Sequence, residues 1–157
     1  PCPPGSFDLV TCRLAAHHFP AVSSFIRESA RALKPGGWLL LQDQLVPDNA
    51  TAARFINSFE RQRDPSHNQA YTAGQWTQVI DCHGFEILQL EDIPKRHSLA
   101  DWAGRQDCIP ATIQQLQNML ASAPTVARSW MQPAAINTDA SSFLIHNVLL
   151  RARKLDT

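Results

Sequence analysis

The sequence predicts an α/β fold, and three observations lead to that prediction. A strand-like segment at 7–12 is followed by an amphipathic helix over 20–33, in which apolar residues recur every three or four positions. The next apolar run, 38–43, has no polar alternation, which is typical of a strand covered on both faces in a parallel sheet. Strand, helix and buried strand together make a βαβ unit, for which a right-handed crossover is expected.

Turn and capping signals set the boundaries of these elements and of the next ones. Lys34-Pro35-Gly36-Gly37 ends the first helix, because proline cannot continue a helix and glycine tolerates a left-handed backbone. A second helical pattern covers 48–63, and Thr72-Ala73-Gly74-Gln75 has the form of a capping box that opens a third helix. Gly84 suits the C′ position of that helix, and strand-like residues 85–93 follow it.

The last third of the chain continues with helices and closes on a strand. Ser98 opens a short helix, and Pro110 and Pro124 each suit a first helical position, so two further helices are expected. Their inward-facing candidates are apolar residues at helical spacing: Ile113, Leu116, Leu120, Val126 and Trp130. The apolar segment 142–153 predicts the last strand.

Composition argues against several classes of protein. The 157 residues are 44% apolar, enough for one domain with its own core, and 14 Lys and Arg balance 14 Asp and Glu. A surface built for nucleic acid or for an anionic membrane is therefore not expected. The four cysteines include no Cys-x-x-Cys pair, which favours a reducing cytoplasm over a disulfide framework or a zinc ribbon. No apolar run approaches the roughly 20 residues that span a bilayer, and the first residues do not resemble a signal peptide.

Four segments of the sequence together carry a family likeness. They read FDLVTCRLAAHHF at 7–19, RESARALKPGGWLLL at 27–41, RQRDPSH at 61–67 and YTAGQW at 71–76. The first two resemble class I S-adenosylmethionine-dependent methyltransferases, and within them the ubiquinone/menaquinone C-methyltransferase-like group. The last two are similar to a narrower subset, the bacterial YcgJ-like proteins of methyltransferase type 11.

The resemblance implies a fold in which this chain is only one portion. It would be the C-terminal part of a doubly wound Rossmann-like methyltransferase sheet, with the last strand antiparallel and a helical lid insertion made by 48–72 and 98–131. Family members carry a βαβαβ half before the first strand seen here, with a Gly-rich turn under the cofactor. No Gly-x-Gly follows a strand in this sequence. We therefore expect the N-terminal cofactor-binding half to be absent and the chain to bind S-adenosylmethionine poorly.

Candidate cofactor residues follow the first strand. In doubly wound sheets the ligand lies beyond the carboxyl ends of the strands, which selects 12–18 and 43–46. By resemblance, five residues would contact the cofactor: Cys12, Arg13 and Leu14 at its methionine part, and His17 and His18 beside the transferring methyl group. The alternative for the two histidines is that they cap and pack the following helix.

Candidate catalytic and substrate residues lie in and beside a polar loop. His67 or Asp64 is a candidate general base, because a histidine titrates near neutral pH and needs only hydrogen-bond reach. Arg63, Phe59 and Tyr71 are candidate substrate contacts. A solvated turn is the alternative for Asp64, since Asp before Pro often starts a turn.

Asp43 is a further candidate substrate contact, because an unpaired carboxylate at the end of a buried strand is costly. Its alternative role is to cap a nearby backbone amide. A metal-dependent hydrolase using His17, His18, His67 and Asp43 is disfavoured, because consecutive histidines point to different sides of an element and make no ready chelate. No metal is expected.

Two functions from different classes therefore remain open. The first is a methyltransferase acting on a small-molecule methyl acceptor. The second is a non-catalytic homo-oligomer, formed by pairing of the exposed edge of the first strand.

Overall fold

The computed structural model describes residues 2–156, in which strands and α-helices alternate. The strands are β1 (Phe7–Arg13), β2 (Leu33–Leu45), β3 (Phe85–Ser98) and β4 (Ser142–Lys154). The helices are α1 (Val22–Ala32), α2 (Ala50–Arg63), α3 (Ala73–Asp81), α4 (Leu99–Gly104), α5 (Pro110–Ala121) and α6 (Thr125–Met131). The predicted α/β class is confirmed.

The chain forms two compact units, and β3 and β4 contribute residues to both. The sheet unit comprises residues 2–45, 69–93 and 147–156, and the helical unit comprises 46–68 and 94–146. The sheet unit holds β1, β2, α1 and α3, whereas α2, α4, α5 and α6 belong to the helical unit.

The strands form one open sheet in the order β1-β2-β4-β3. β1 pairs with β2 in parallel, from Leu9 opposite Trp38 to Arg13 opposite Gln42, as the βαβ prediction requires. At the other end of the strands, the Lys154 Nζ donates to the carbonyl of Leu33, and the amide of Leu155 donates to the carbonyl of Gly84. Because the end of β4 therefore lies at the starts of β2 and β3, β4 runs antiparallel to both.

The turn signal Lys34-Pro35-Gly36-Gly37 lies inside a strand rather than before one. α1 ends at Ala32, and β2 has already begun at Leu33, which pairs with Phe7. The register then shifts before Leu9 meets Trp38, and the extra residues of β2 are accommodated by the left-handed backbone of Gly36 (φ +71°). The signal correctly ended the helix, but it marks an irregularity in the β1–β2 pairing.

The expectation that the second strand is covered on both faces is wrong. Leu39 is wholly buried, whereas the side chain of Leu40 is 37% exposed. Leu9 and Leu149 are exposed on the same face as Leu40. Leu9 pairs with Trp38, which lies two positions before Leu40 on β2. The Arg151 guanidinium lies over the Trp38 ring, and Leu149 lies two positions before Arg151 on β4. Among the described residues, one face of the sheet therefore exposes apolar side chains to solvent.

Local capping signals are mostly confirmed. Thr72 and Gln75 form a reciprocal capping box at the start of α3. Gly84 has φ +76° but lies one position beyond the expected C′, because the C-cap of α3 is Cys82. Pro110 opens α5 as predicted. Pro124 is instead the N-cap of α6 and not its first helical residue.

Val126 was expected to face inward, and that expectation is wrong. In α6 the buried residues are Ala127 and Met131, which are four positions apart and lie on one face. Val126 is exposed because it falls outside that face. With only seven residues in α6, the sequence contains too few turns to fix the buried side.

The core of the helical unit is aromatic. Phe59 from α2 stacks parallel to Trp102 from α4 with ring centres 5.1 Å apart, and both meet the ring of Phe143 edge-on. Offset and edge-to-face arrangements of this kind are favourable beyond their burial alone. Burying one such ring stabilises the fold by about 1.5–3 kcal/mol.

Candidate active site

The segment between β1 and α1 is held by one carboxylate from the end of β2. We call residues 14–18 the anchored loop. Asp43 is fully buried, and its Oδ2 accepts hydrogen bonds from the amides of Ala16 at 2.6 Å and Ala15 at 3.2 Å. Its Oδ1 accepts from the amide of Gln44 at 2.7 Å. The loop is thereby fixed to the carboxyl end of the neighbouring strand.

His17 completes this arrangement. Its Nδ1 is bonded to Oδ1 of Asp43, and the imidazole is itself buried. The ring of His18 lies against it, with centres 4.1 Å apart. The two histidines therefore have different surroundings, since the ring of His17 is oriented by the carboxylate.

The loop has a left-handed residue where β1 ends. Leu14 has φ +49°, a conformation that costs a non-glycine residue free energy. Its amide nevertheless continues the β1–β2 hydrogen bonds by donating to the carbonyl of Gln42 at 2.8 Å. The side chain of Arg13 also bonds to that of Gln42, at 3.0 Å. Leu14 thus turns the chain sharply out of the sheet and towards the two histidines.

A second segment runs beside the anchored loop. The amide of Gln69 donates to the carbonyl of His17 at 3.0 Å, and Tyr71 forms a parallel bridge with Leu45 at the end of β2. The ring of Tyr71 lies 5.2 Å from that of Trp76. The candidate Tyr71 therefore belongs to the same end of the sheet unit as the anchored loop.

The thiol of Cys12 has an altered ionisation. Burial raises the pKa of Cys12, and the negative charge of Asp43 raises it further, while the amides of Ala16 and Ala15 oppose the change. The thiol therefore stays protonated at neutral pH and offers no nucleophile. The Cys12 side chain can therefore contact a ligand only as a neutral, weakly polar group.

The candidates His67 and Asp64 lie in the helical unit. The Oδ1 of Asp64 accepts from both the amide and the hydroxyl of Ser66, and its Oδ2 accepts from Gln106 at 2.7 Å. This is the turn arrangement named as the alternative for Asp64. His67 is buried, with its Nε2 2.8 Å from Oδ1 of Asn57.

Arg63 and Phe59 also belong to the helical unit, and their surroundings differ. The guanidinium of Arg63 lies over the ring of Trp102 at 4.5 Å and donates from Nε to its carbonyl at 2.9 Å. Phe59 is wholly buried between Trp102 and Phe143, so it is a core residue and has no surface to offer a ligand.

Comparison with known families assigns the chain. The methyltransferase domain family matches residues 1–90, more than half of the sequence. The chain belongs to the methyltransferase domain family. The match includes β1, the anchored loop and β2, the segments on which the resemblance was first recognised.

Curated relatives of this methyltransferase chain support the same assignment. It is 40% identical over 95 residues to the uncharacterised methyltransferase YcgJ of Bacillus subtilis, a match that covers 60% of this chain and 36% of the relative. It is 29% identical over 125 residues to the uncharacterised protein YafE of Escherichia coli, covering 80% of this chain and 60% of that protein. The matches thus span between about a third and three fifths of these relatives.

Solved methyltransferase structures share the whole arrangement of elements. The chain superimposes on a candidate methyltransferase from Bacillus halodurans with a TM-score of 0.93 and 35% identity, covering 99% of this chain and 73% of the other. The YcgJ structure from Bacillus subtilis gives a TM-score of 0.88 at 29% identity, covering 100% of this chain and 68% of that one.

Two features are absent from residues 2–156 of this methyltransferase chain. No helix within this range is both long enough and apolar enough to cross a membrane. The same residues also contain no cluster of three or more His, Cys, Asp or Glu side chains arranged to hold a metal ion.

Sequence reasoning missed the residues that hold the candidates in place. Asn57 bonds to the His67 ring, and Arg61 donates to the carbonyls of His67 and Asn68. Asn57 and Arg61 are four positions apart on α2, so they share a helix face directed to the loop that follows. That spacing was visible in the sequence, but which face of α2 meets the loop was not.

Proposed function

We propose that this chain is part of an S-adenosylmethionine-dependent methyltransferase that acts on a small molecule. The observation that carries the proposal is the anchored loop, which lies at the carboxyl ends of two parallel strands in a chain of the methyltransferase family. Ligands of doubly wound sheets bind at that edge.

The residues around the loop fit the methionine part of the cofactor. Cys12 is neutral and buried, Leu14 presents an apolar side chain, and the fully buried carboxylate of Asp43 orients the loop. S-adenosylmethionine, when bound, supplies a methyl group on a sulfonium sulfur. The part of these residues would be to align that end of the ligand and exclude water from it.

Asp43 has a different role here from the substrate contact first expected. Its two oxygens receive three backbone N–H donors and the His17 ring, and the carboxylate is inaccessible to solvent. We assign it as a positioning residue for the loop. Arg13, His17, His18 and Tyr71 remain the proposed ligand contacts of the sheet unit.

His67 remains the proposed general base. An amide oxygen only accepts hydrogen bonds, so the Asn57 contact places the proton of the neutral ring on Nε2 and its lone pair on Nδ1. For a methyl acceptor that must lose a proton, His67→Gln is expected to lower turnover by about 100-fold or more. Asp64 is assigned to the turn, because Ser66 and Gln106 use its oxygens.

Binding of S-adenosylhomocysteine tests the cofactor side of the proposal. Backbone amide signals are followed by NMR while the ligand is raised to millimolar concentration. We expect shifts confined to 12–18 and weak affinity, since the sequence contains no Gly-x-Gly turn to hold the rest of the ligand. Micromolar affinity would contradict the expected weak binding, and no shift at these residues would overturn the assignment of the loop.

A pair of leucines provides the matched control. Leu14 and Leu155 belong to the same unit and are 42% and 43% exposed, but Leu155 bonds to Gly84 at the opposite end of the strands. Leu14→Ser should weaken the shifts caused by S-adenosylhomocysteine, whereas Leu155→Ser should not. Equal effects of the two substitutions would argue against a contact at Leu14.

We also propose a second candidate function, self-association through β1. β1 is an edge strand of the sheet, and the neighbouring side chains Phe7 and Leu9 are largely exposed. Unpaired backbone groups beside exposed apolar side chains favour the addition of another strand.

Light scattering at tens of micromolar tests this second candidate. The chain should be a dimer or larger, and Leu9→Lys should make it monomeric by placing a charge beside the edge. Ile109→Lys is the control, because Ile109 is still more exposed but belongs to the helical unit. A strictly monomeric wild-type chain would rule self-association out.

A further inference from the structure

Three cationic side chains and one histidine gather around the short helix α4 of the helical unit. His97 and Arg105 flank the helix at its two ends, and Lys95 precedes His97 on β3. Arg63 comes from the end of α2 and lies over Trp102 in the middle of α4. Residues distant in sequence thus converge on one small surface, which we call the cationic cluster.

Acidic side chains lie in the same segments as the cationic cluster: Asp64 follows Arg63, Asp101 lies on α4, and Asp107 lies two positions after Arg105. In the part of the chain that the structure describes, no member of the cluster forms an ion pair with a carboxylate. The acid next to Arg63 in sequence is Asp64, whose oxygens accept from Ser66 and Gln106.

The ionisation of His97 is affected by its burial and by these neighbouring charges. Burial lowers the pKa of His97, and the positive charges of Lys95, Arg105 and Arg63 lower it further. A negatively charged group placed between Lys95, Arg105 and Arg63 would reduce the repulsion among their positive charges.

Arg63 is held in an orientation suited to such a group. Its planar guanidinium lies over the ring of Trp102, and its Nε is used by the carbonyl of the same residue at 2.9 Å. The two Nη atoms have no hydrogen-bond partner within residues 2–156. A fixed guanidinium with both Nη groups available can bind two oxygens of a carboxylate or phosphate at once.

We propose that the cationic cluster binds an anionic oxygen group, a carboxylate or a phosphate, carried by the small-molecule substrate. Arg63 makes the directional contacts, Lys95 and Arg105 supply the surrounding positive potential, and the His97 ring lies beside these charges. The assignment of this anion to the methyl acceptor rests on the proposed function, whereas the binding of an anion does not.

NMR titration of the His97 imidazole tests anion binding directly. The pKa of His97 is measured at constant ionic strength, first alone and then with inorganic phosphate or with benzoate as the probe. A bound anion opposes the three cations, so the pKa of His97 should rise. The probe that acts at the lower concentration identifies phosphate or carboxylate as the preferred group. If neither probe changes this pKa, the inference is overturned.

Substitutions separate a built site from general charge attraction. Arg63→Gln should weaken phosphate binding by about tenfold, the effect of losing one hydrogen bond to a charged group, whereas Arg105→Gln should weaken it less, because it reduces only the surrounding positive charge. Arg105 is exposed, so its variant tests the site even where Arg63→Gln disturbs packing on Trp102. Arg63→Lys keeps the charge but loses the two-point contact, and should be intermediate.

Arg151 provides the matched control. Its guanidinium also lies over a tryptophan ring, that of Trp38 at 5.5 Å, but it belongs to the sheet unit. Arg151→Gln removes the same charge and should leave phosphate binding at His97 unchanged. An equal loss in this variant would show that only overall charge matters, and would overturn the inference.

Failure of this inference and failure of the proposed function give different results. Phosphate binding at His97 without any response of the anchored loop to S-adenosylhomocysteine would uphold the anion site and remove its assignment to a methyl acceptor. A response of the loop without an effect of either anion on His97 would overturn the anion site alone.

Discussion

Asp43 shows how one buried charge can organise a loop. A carboxylate without access to water is costly unless donors replace its hydration. Here Ala15, Ala16 and Gln44 donate through their amides, and His17 through its ring. The same bonds that compensate the burial hold the chain where β1 ends, so the stability of the sheet unit and the shape of the candidate site depend on one side chain.

Replacing this carboxylate should therefore be costly. Asp43→Asn keeps the size of the side chain but removes the charge and half of its acceptors, and we expect a loss of about 3 kcal/mol in the free energy of unfolding. Urea denaturation measures this. Asp8→Asn is the control, since Asp8 pairs with Lys34 at the surface and should matter by about 0.5 kcal/mol or less. Similar losses in both variants would contradict the role assigned to Asp43.

The raised pKa of Cys12 predicts selective cysteine chemistry. Only the thiolate is an effective nucleophile, and burial together with the charge of Asp43 keeps the Cys12 thiol protonated. Cys82 is exposed. At pH 8, iodoacetamide should modify Cys82 well before Cys12, as followed by mass spectrometry of the peptides. Modification of Cys12 at the same rate would show that the end of β1 is open to solvent.

At the scale of the elements, the irregular pairing of β1 with β2 leaves no space for a side chain at Gly37. A Cβ on Gly37 would lie 2.9 Å from the carbonyl oxygen of Lys34 and 3.3 Å from that of Asp8, and backbone atoms cannot move aside as a flexible side chain can. We expect Gly37→Ala to lower the free energy of unfolding by about 1–3 kcal/mol, measured by urea denaturation.

The control for this prediction is Gly104, at the end of α4. A Cβ there would meet no atom within 4 Å, so Gly104→Ala should be neutral or slightly stabilising because alanine favours the helix. A destabilisation as large as that of Gly37→Ala would show that the clash at Gly37 is not what distinguishes the two positions.

Element types were predictable where the signal was local. The capping box at Thr72 and the proline that opens α5 act through neighbouring residues, and both were found where they were expected. The two-sided burial of β2 was not predictable from Leu40, because an apolar run does not show whether anything packs on its second face. The inward orientation predicted for Val126 was wrong for a similar reason, because α6 is too short for its apolar residues to show a helical period.

At the scale of the whole molecule, the sequence identified the family and indicated a candidate site, but not the bonds that hold the candidate residues. Residues 12–18 follow from the rule that ligands lie beyond strand ends, which needs only the order of the elements. The bonds from Asp43 to Ala15 and Ala16 join residues 27 and 28 positions apart, so they depend on the register of the folded chain. The cationic cluster likewise draws Arg63 from α2 and Arg105 from the end of α4.

The cationic cluster also makes the stability of the whole molecule depend on pH. The pKa of His97 is lower in the folded protein than in the unfolded chain, so as the pH falls the unfolded chain binds the proton first. Stability from this group is complete above the ordinary histidine pKa of about 6.5 and is lost as the pH falls from there to the lowered value. His97→Gln should therefore flatten the pH dependence of the urea midpoint below neutrality.

Two further variants show whether the neighbouring charges cause this dependence. Arg105→Gln removes one of the charges that lower the pKa of His97, so it should flatten the dependence in part while leaving the histidine in place. His83→Gln removes a histidine of the sheet unit that bonds to Ser23 and Val79, and should leave the contribution of His97 unchanged. If His97→Gln flattens the curve and Arg105→Gln does not, the charge of Arg105 has no effect on the pKa of His97, and Arg105 does not belong to the cationic cluster.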